Sequence, residues 1–216
     1  MNKFNSVFEL GVLLLLFMSS AMGQSSEAFI KAEGSDESSV PSSFSFSTSN
    51  YRYKISNEGQ GRRSRENLAT QTFKLRLGTG GNIIERVYYA EFQDDILLIC
   101  EDTDGEGSAG FITRLNQRTL KAKWWRAIPT FNIGQGLIEG KFAYVTALGF
   151  VGKISLNTGA YVWRYGDLYR DGAFNSFEIP EIEGEVVVFT EKPVNGNQAA
   201  TSIRIQKLSG RILRRK

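Results

Sequence analysis

A pattern of turn and tryptophan recurs three times in the second half of this chain, and it constrains the fold more than any single residue. It reads Leu115-x-x-x-Thr119-Leu120-x-x-x-Trp124, then Ile154-x-x-x-Thr158-Gly159-x-x-x-Trp163, then Ile205-x-x-x-Ser209-Gly210-x-x-x-Arg214. The first two copies are 39 residues apart and the next spacing is 51. A period of about 40 residues belongs to stacked or radial architectures, in which function comes from surfaces that the units share. The extra length in the second spacing falls mostly at Pro193 to Ala200 and reads as a loop insertion.

Each copy sits in a run of strands and turns. Phe73, Leu75 and Leu77 alternate with polar residues and end at Gly78-Thr79-Gly80-Gly81, which predicts one half-buried strand. Arg86 to Phe92 and Asp95 to Glu101 predict a hairpin, followed by strands at Gly110 to Leu115 and Ala122 to Trp125. A second unit repeats this order with Gly136 to Glu139, Phe142 to Val145, Gly149 to Ser155 and Ala160 to Tyr165. A third uses Phe177 to Glu183, Val186 to Phe189, Thr201 to Lys207 and Arg211 to Leu213. The expected fold is therefore all-β, with about three four-stranded antiparallel units. Gly159 and Gly210 supply the left-handed residue that reverses the chain between the last two strands of a unit. Leu120 departs from this and needs another geometry or strain. Trp124 and Trp163, at equivalent positions, are expected to cover the joint between adjacent units, with their N–H groups seeking acceptors.

The stretch Gly149-Phe150-Val151-Gly152-Lys153-Ile154-Ser155-Leu156-Asn157-Thr158-Gly159-Ala160-Tyr161-Val162-Trp163 resembles a blade of the pyrroloquinoline-quinone-enzyme-like, or quinoprotein alcohol dehydrogenase-like, β-propeller superfamily. The other two copies match more loosely, and the resemblance covers residues 71–216. It implies a partial or incomplete β-propeller. Members of the superfamily include dehydrogenases, outer-membrane assembly scaffolds and sensor domains. The dehydrogenases use a larger ring with a quinone pocket, a calcium site and a catalytic carboxylate. No adjacent-cysteine pair or matching cofactor cluster stands in this chain, so no catalytic residue and no cofactor is carried over. Three blades are fewer than the roughly four to eight of a closed ring. A self-associated ring, an open array, a fragment of a longer architecture and a smaller closed β fold all remain open.

Ahead of the repeats, residues 1–23 read as a signal peptide. Lys3 leads a short apolar run from Leu10 to Phe17, and Ala21 and Gly23 form a small-residue exit with cleavage before Gln24. The run falls short of the roughly 20 apolar residues of a membrane span. This implies export, to a periplasm or outside the cell, with no transmembrane domain after cleavage. Residues 24–70 read as a flexible polar lead with short strands around Phe44, Phe46, Tyr51, Tyr53 and Ile55. Residues 71–216 form the repeat domain.

The chain holds no histidine and one cysteine, Cys100. This removes Ser-His-acid and Cys-His nucleophiles, His-based metal sites and an internal disulfide. Cys100 closes the apolar run from Ile96 and reads as a small buried hydrophobe. The net charge of +3 is spread along a mixed sequence. The basic clusters Arg62, Arg63, Arg65 and Arg211, Arg214, Arg215, Lys216 lack interleaved aromatics, so no nucleic-acid partner is expected. Asp102, Asp104 and Glu106 alternate on a turn and read first as a polar hairpin loop between Cys100 and Phe111, with a weak calcium site as the lesser alternative. Glu178, Glu181, Glu183 and Glu185 read as the solvated side of a strand pair. Tyr165, Asp167, Tyr169, Arg170 and Asp171 mix aromatic and charged groups as recognition surfaces do. Together these features predict an exported, non-catalytic module for protein binding or self-association. The alternatives are a quinone-dependent oxidoreductase or its degenerate relative, and a small-ligand sensor.

Overall fold

The computed structural model describes residues 25–35, 41–78, 83–168, 176–192 and 201–215. The expected signal peptide lies outside them. The described chain is all-β. It opens with two short strands, β1 (Ser26–Ala28) and β2 (Ile30–Lys31). An antiparallel meander follows as sheet I: β3 (Ser43–Ser47), β4 (Arg52–Ser56), β5 (Gln60–Ser64) and β6 (Gln71–Lys74). Sheet II holds β7 (Ile83–Phe92), β8 (Asp95–Thr103), β9 (Ser108–Asn116) and β10 (Ala122–Ile128). Sheet III holds β11 (Leu137–Glu139), β12 (Phe142–Ala147), β13 (Phe150–Ser155) and β14 (Tyr161–Tyr165). Sheet IV holds β15 (Glu181–Glu183), β16 (Val186–Thr190), β17 (Ser202–Gln206) and β18 (Ile212–Arg215).

Four antiparallel sheets thus stand where the repeats predict three units, and none closes into a barrel or a propeller. The additional sheet comes from residues that read as polar lead. Strand β6, which the sequence reading places with the repeats, pairs with β5 instead. The alternation in β3 and β4 explains the extra sheet. Phe44, Phe46, Tyr53 and Ile55 all point to one side and are buried, while serines, Arg52 and Lys54 point to the other.

The sheets pack face to face in chain order, with three apolar layers between them. Phe44, Tyr53, Ile55 and Phe73 of sheet I meet Ile84, Ile96, Leu98 and Phe111 of sheet II. Leu97, Ile99 and Ile112 of sheet II meet Ala143, Val145, Phe150 and Ile154 of sheet III. Tyr144 and Val151 of sheet III meet Val187, Phe189, Ile203 and Ile205 of sheet IV. Strand β8 is apolar on both faces because both are covered, so its run Ile96 to Cys100 shows no alternation. Cys100 is fully buried in the first layer, where burial and then the charge of Asp102 push its thiol pKa up. It stays a protonated, packed side chain.

Residues 26–35 form a strap across the edges made by the first strands of sheets I, II and III. Strand β1 pairs with β11, β2 pairs with β7, and Glu33 bridges Ser45 of β3. Phe29 N–H donates to Gly136 O at 3.0 Å and Ala32 N–H to Val87 O at 3.0 Å, so the backbone is paired along its course. One small or aromatic side chain enters each layer. Ala28 packs on the third, Phe29 is buried in the second and Ala32 in the first. A flexible lead would leave these side chains in water.

Phe29 gives the direct test. Its ring is fully buried, so Phe29→Ala is expected to lower unfolding stability by about 3–5 kcal/mol. Urea denaturation followed by tryptophan fluorescence measures this, and an unchanged midpoint contradicts the strap.

Candidate functional site

The repeated residues meet at the joints between sheets. Trp124 of β10 donates its indole N–H to the carbonyl of Leu156 in sheet III, at 2.8 Å. Trp163 of β14 donates to the carbonyl of Lys207 in sheet IV, at 3.1 Å. Each acceptor lies three residues before the turn glycine of the next sheet. The rings also lie against those glycines. A Cβ on Gly159 would fall 2.6 Å from Trp124 Cδ2, and one on Gly210 would fall 2.7 Å from Trp163 Cγ. Both glycines have positive φ, +69° and +76°. Glycine therefore serves twice here, by its conformation and by the absent side chain. Thr158 Oγ1 accepts from Ala160 N–H and Ser209 Oγ from Arg211 N–H, bridging each turn. Thr119 differs, since its N–H donates to the Asn116 side chain. Leu120, in the glycine position, holds φ at 59°. Its side chain packs into the layer between sheets I and II instead of receiving a tryptophan.

Two further repeat positions contribute to the joint and were missed from sequence. Arg114 donates to the same Leu156 carbonyl at 2.9 Å, and Lys153 to the same Lys207 carbonyl at 2.8 Å. Arg126 donates to Gly159 O at 2.7 Å, and Tyr165 donates to Gly210 O. The signal was available. Arg114, Lys153 and Arg204 all immediately precede the first residue of the repeat, and three cations at one inward-reading position are unusual. Arg204, with no following sheet among the described residues, pairs with Glu183 of its own sheet.

Carboxylates back these cations. Asp95 is fully buried and accepts from Arg114, from Lys123 at 2.6 Å and from Asn116 at 3.0 Å. Burial works to raise its pKa, but these hydrogen bonds outweigh it and hold the carboxyl below its usual range. Glu139 accepts from Lys207 Nζ at 2.6 Å and from Tyr144 Oη at 3.0 Å.

The predicted calcium ligands do not converge. Asp102 is buried, with its carboxylate close to the backbone of Gly78, whereas Asp104 and Glu106 are exposed. Asp104 Oδ1 accepts from Glu106 N–H at 2.9 Å and Gly107 N–H at 2.8 Å, so it caps the hairpin. These bonds lower its pKa. Among the described residues no three acids or cysteines group as a metal site. Of the predicted recognition surface, Tyr165 and Asp167 fall among the described residues. Tyr165 is committed to the joint, and Asp167 is exposed at a positive φ of 56°. Tyr169, Arg170 and Asp171 lie outside the described residues.

Two other places present unused polar groups. A cleft of about 630 Å³ opens at the ends of sheet I, lined by residues 47–52 and 64–66. A neighbouring one of about 330 Å³ shares Asn50, Tyr51 and Arg65 with it and reaches Asp94 and Arg118 of sheet II. Arg63, one of the basic cluster in the sequence, is buried beneath Tyr51 with its guanidinium 4.3 Å from the ring centre. Strand alternation separates it from Arg62, which is exposed on the outer face of sheet I.

No protein-family model and no curated protein matches this sequence. Solved structures match in fold. BamB from Moraxella catarrhalis superposes with a TM-score of 0.51 at 11% identity, over 77% of this chain and 49% of BamB. The quinohemoprotein alcohol dehydrogenase ADHIIG from Pseudomonas putida HK5 gives 0.55 at 12%, over 80% of this chain and 34% of the enzyme. A europium-containing methanol dehydrogenase gives 0.50 at 11%, over 80% and 40%. The chain spans half the length or less of each. Identities this low show distant similarity of fold alone.

The joints yield two tests. Gly159→Ala adds a clash with Trp124 to an unfavourable φ and is expected to cost about 2–4 kcal/mol. Thr158→Ala loses one exposed turn bond and is expected to cost about 1 kcal/mol or less. Equal denaturant midpoints for the two variants contradict the joint. For Asp95, a depressed carboxyl stabilises the fold above the ordinary pKa of about 4, and that stability is lost as pH falls through the folded value. The stability gap between wild type and Asp95→Asn should therefore be widest near neutrality and narrow below about pH 4. A gap constant with pH contradicts this.

Proposed function

We propose that this chain is an exported, non-catalytic module that binds a protein partner, its four sheets being the blades of an incomplete propeller. The observation that carries this reading is the use of the repeat's polar groups. The tryptophans, cations and tyrosine donate to backbone carbonyls of the neighbouring sheet, so they build the scaffold and leave its outer surfaces for recognition. The fold likeness to BamB and to dehydrogenases is compatible with a scaffold shared by proteins of different activity.

The residues present do not suit the quinone and calcium of the dehydrogenase alternative. Phe29 and the strap occupy the edges of the first strands of sheets II and III, and the acids of the predicted calcium loop are separated by burial. The paired clefts around Tyr51 favour a second reading, a small-ligand sensor, which ligand-induced stabilisation without turnover would mark. Self-association through the sheet I end would be a polar contact, because its outer face is built of hydroxyls, cations and Gln60.

Affinity capture with residues 24–216 as bait, from the extracellular or periplasmic extract of the native host, tests the proposal. A specific partner that survives washing and recurs between preparations is expected. Reproducible recovery of no protein overturns the binding-module reading.

A further inference from the structure

Among the described residues sheet I ends the array, and its outer face differs in kind from every packed face. Cross-strand register places Ser43, Ser56, Gln60 and Lys74 in one row. Ser45, Lys54, Arg62 and Thr72 form the next, and Ser47, Arg52 and Ser64 the third. All the sheet's large apolar side chains point the other way, into sheet II. Strands β3–β6 contribute no acid to this face. Glu58 and Glu66 sit in the turns beyond its ends, and Glu33 flanks its β3 margin through the bridge to Ser45.

The four cations are exposed, and none has an ion-pair partner among the described residues. Lys54 stands directly opposite Arg62, a like-charge pair that costs stability. The joints show that this chain elsewhere surrounds its cations with carbonyls and carboxylates. The arrangement is also directional. Lys74, Arg62, Lys54 and Arg52 step diagonally across three strands, about 10 Å across and about 13 Å along, so about 16 Å from end to end. The flanking corners carry only hydroxyls.

We propose that Arg52, Lys54, Arg62 and Lys74 form a docking track for an extended acidic polypeptide segment of the partner protein. This rests on the binding-module reading and specifies its partner. An extended chain rises about 3.3 Å per residue, so about five residues with alternate acids span the track. Serine, threonine and glutamine side chains between the cations supply hydrogen bonds without pockets. A single strand of nucleic acid would want stacking aromatics, and the face has none. An anionic bilayer would use cations spread over the whole face, and these follow one line.

Fluorescence anisotropy with a labelled 12-residue peptide of alternating glutamate and serine tests the track at about 20 mM salt. Binding is expected, weakening as salt rises. Arg62→Glu should weaken it about tenfold or more. The same substitution replaces a like-charge pair with an opposite one, so its denaturation midpoint should hold or rise, which excludes unfolding as the cause. Arg118→Glu, at the sheet II cleft, should leave affinity within about twofold. Three results overturn the track: no peptide binding at low salt, equal binding by Arg62→Glu, or Arg62-dependent binding of phosphatidylglycerol vesicles or an oligo-dT in place of the peptide. Capture of a partner equally by wild type and Arg62→Glu would sink the track and leave the binding-module reading standing. Peptide binding with no captured partner would sink that reading and leave the track's chemistry intact.

Discussion

Two backbone oxygens, those of Leu156 and Lys207, organise the stacking of the sheets. Each accepts an indole N–H and a cationic side chain from the sheet before it. Apolar faces attract without direction, so hydrophobic packing alone would let two sheets slide or rotate. A carbonyl has two acceptor positions, and filling both from fixed side chains sets one arrangement. The glycine of the turn is part of the same device, since the tryptophan ring takes the space its side chain would need. Tryptophan and glycine therefore occur as a pair, one on each side of a joint. Leu120 stands where sheet I presents no tryptophan, and Arg214 stands on the last described strand, exposed.

Buried charge supports this arrangement at a cost. Asp95 and Arg114 lie out of water, where an unpaired carboxylate would be strongly unfavourable. Three donors around Asp95 make it tolerable, and one of them, Arg114, also holds the next sheet. Packing and polar satisfaction are thus solved by the same side chain.

The three repeat units were legible because most of their strands alternate, two of their three turns carry glycine and two of their three copies carry tryptophan. Sheet I was only half legible. Strands β3 and β4 show alternation, but β5 reads Gln60-Gly61-Arg62-Arg63-Ser64 and contains no apolar residue. It is a strand because its neighbours supply the core. The ring of Phe73 fills the space over Gly61, and Arg63 turns inward beneath Tyr51. The strap was illegible for a different reason. Ala28, Phe29 and Ala32 each enter a separate layer, so no period links them. The calcium ligands failed on burial, which spacing along a turn does not encode. Asp102 is buried near the end of β8, and Asp104 lies exposed in the hairpin that follows.

The strap also imposes an order on folding. Meanders form from neighbouring residues, so each sheet can assemble soon after its own strands exist. The strap cannot, because Phe29 and its contact Gln135 are separated by 106 residues. Its partners in sheet III come late in the chain, and closing so long a loop is entropically costly until those edges are in place. A chain emerging from its N-terminus would expose the unpaired first strands of sheets II and III throughout that interval. Residues 26–35 thus act as a delayed seal, in place only after the first strand of sheet III has been made.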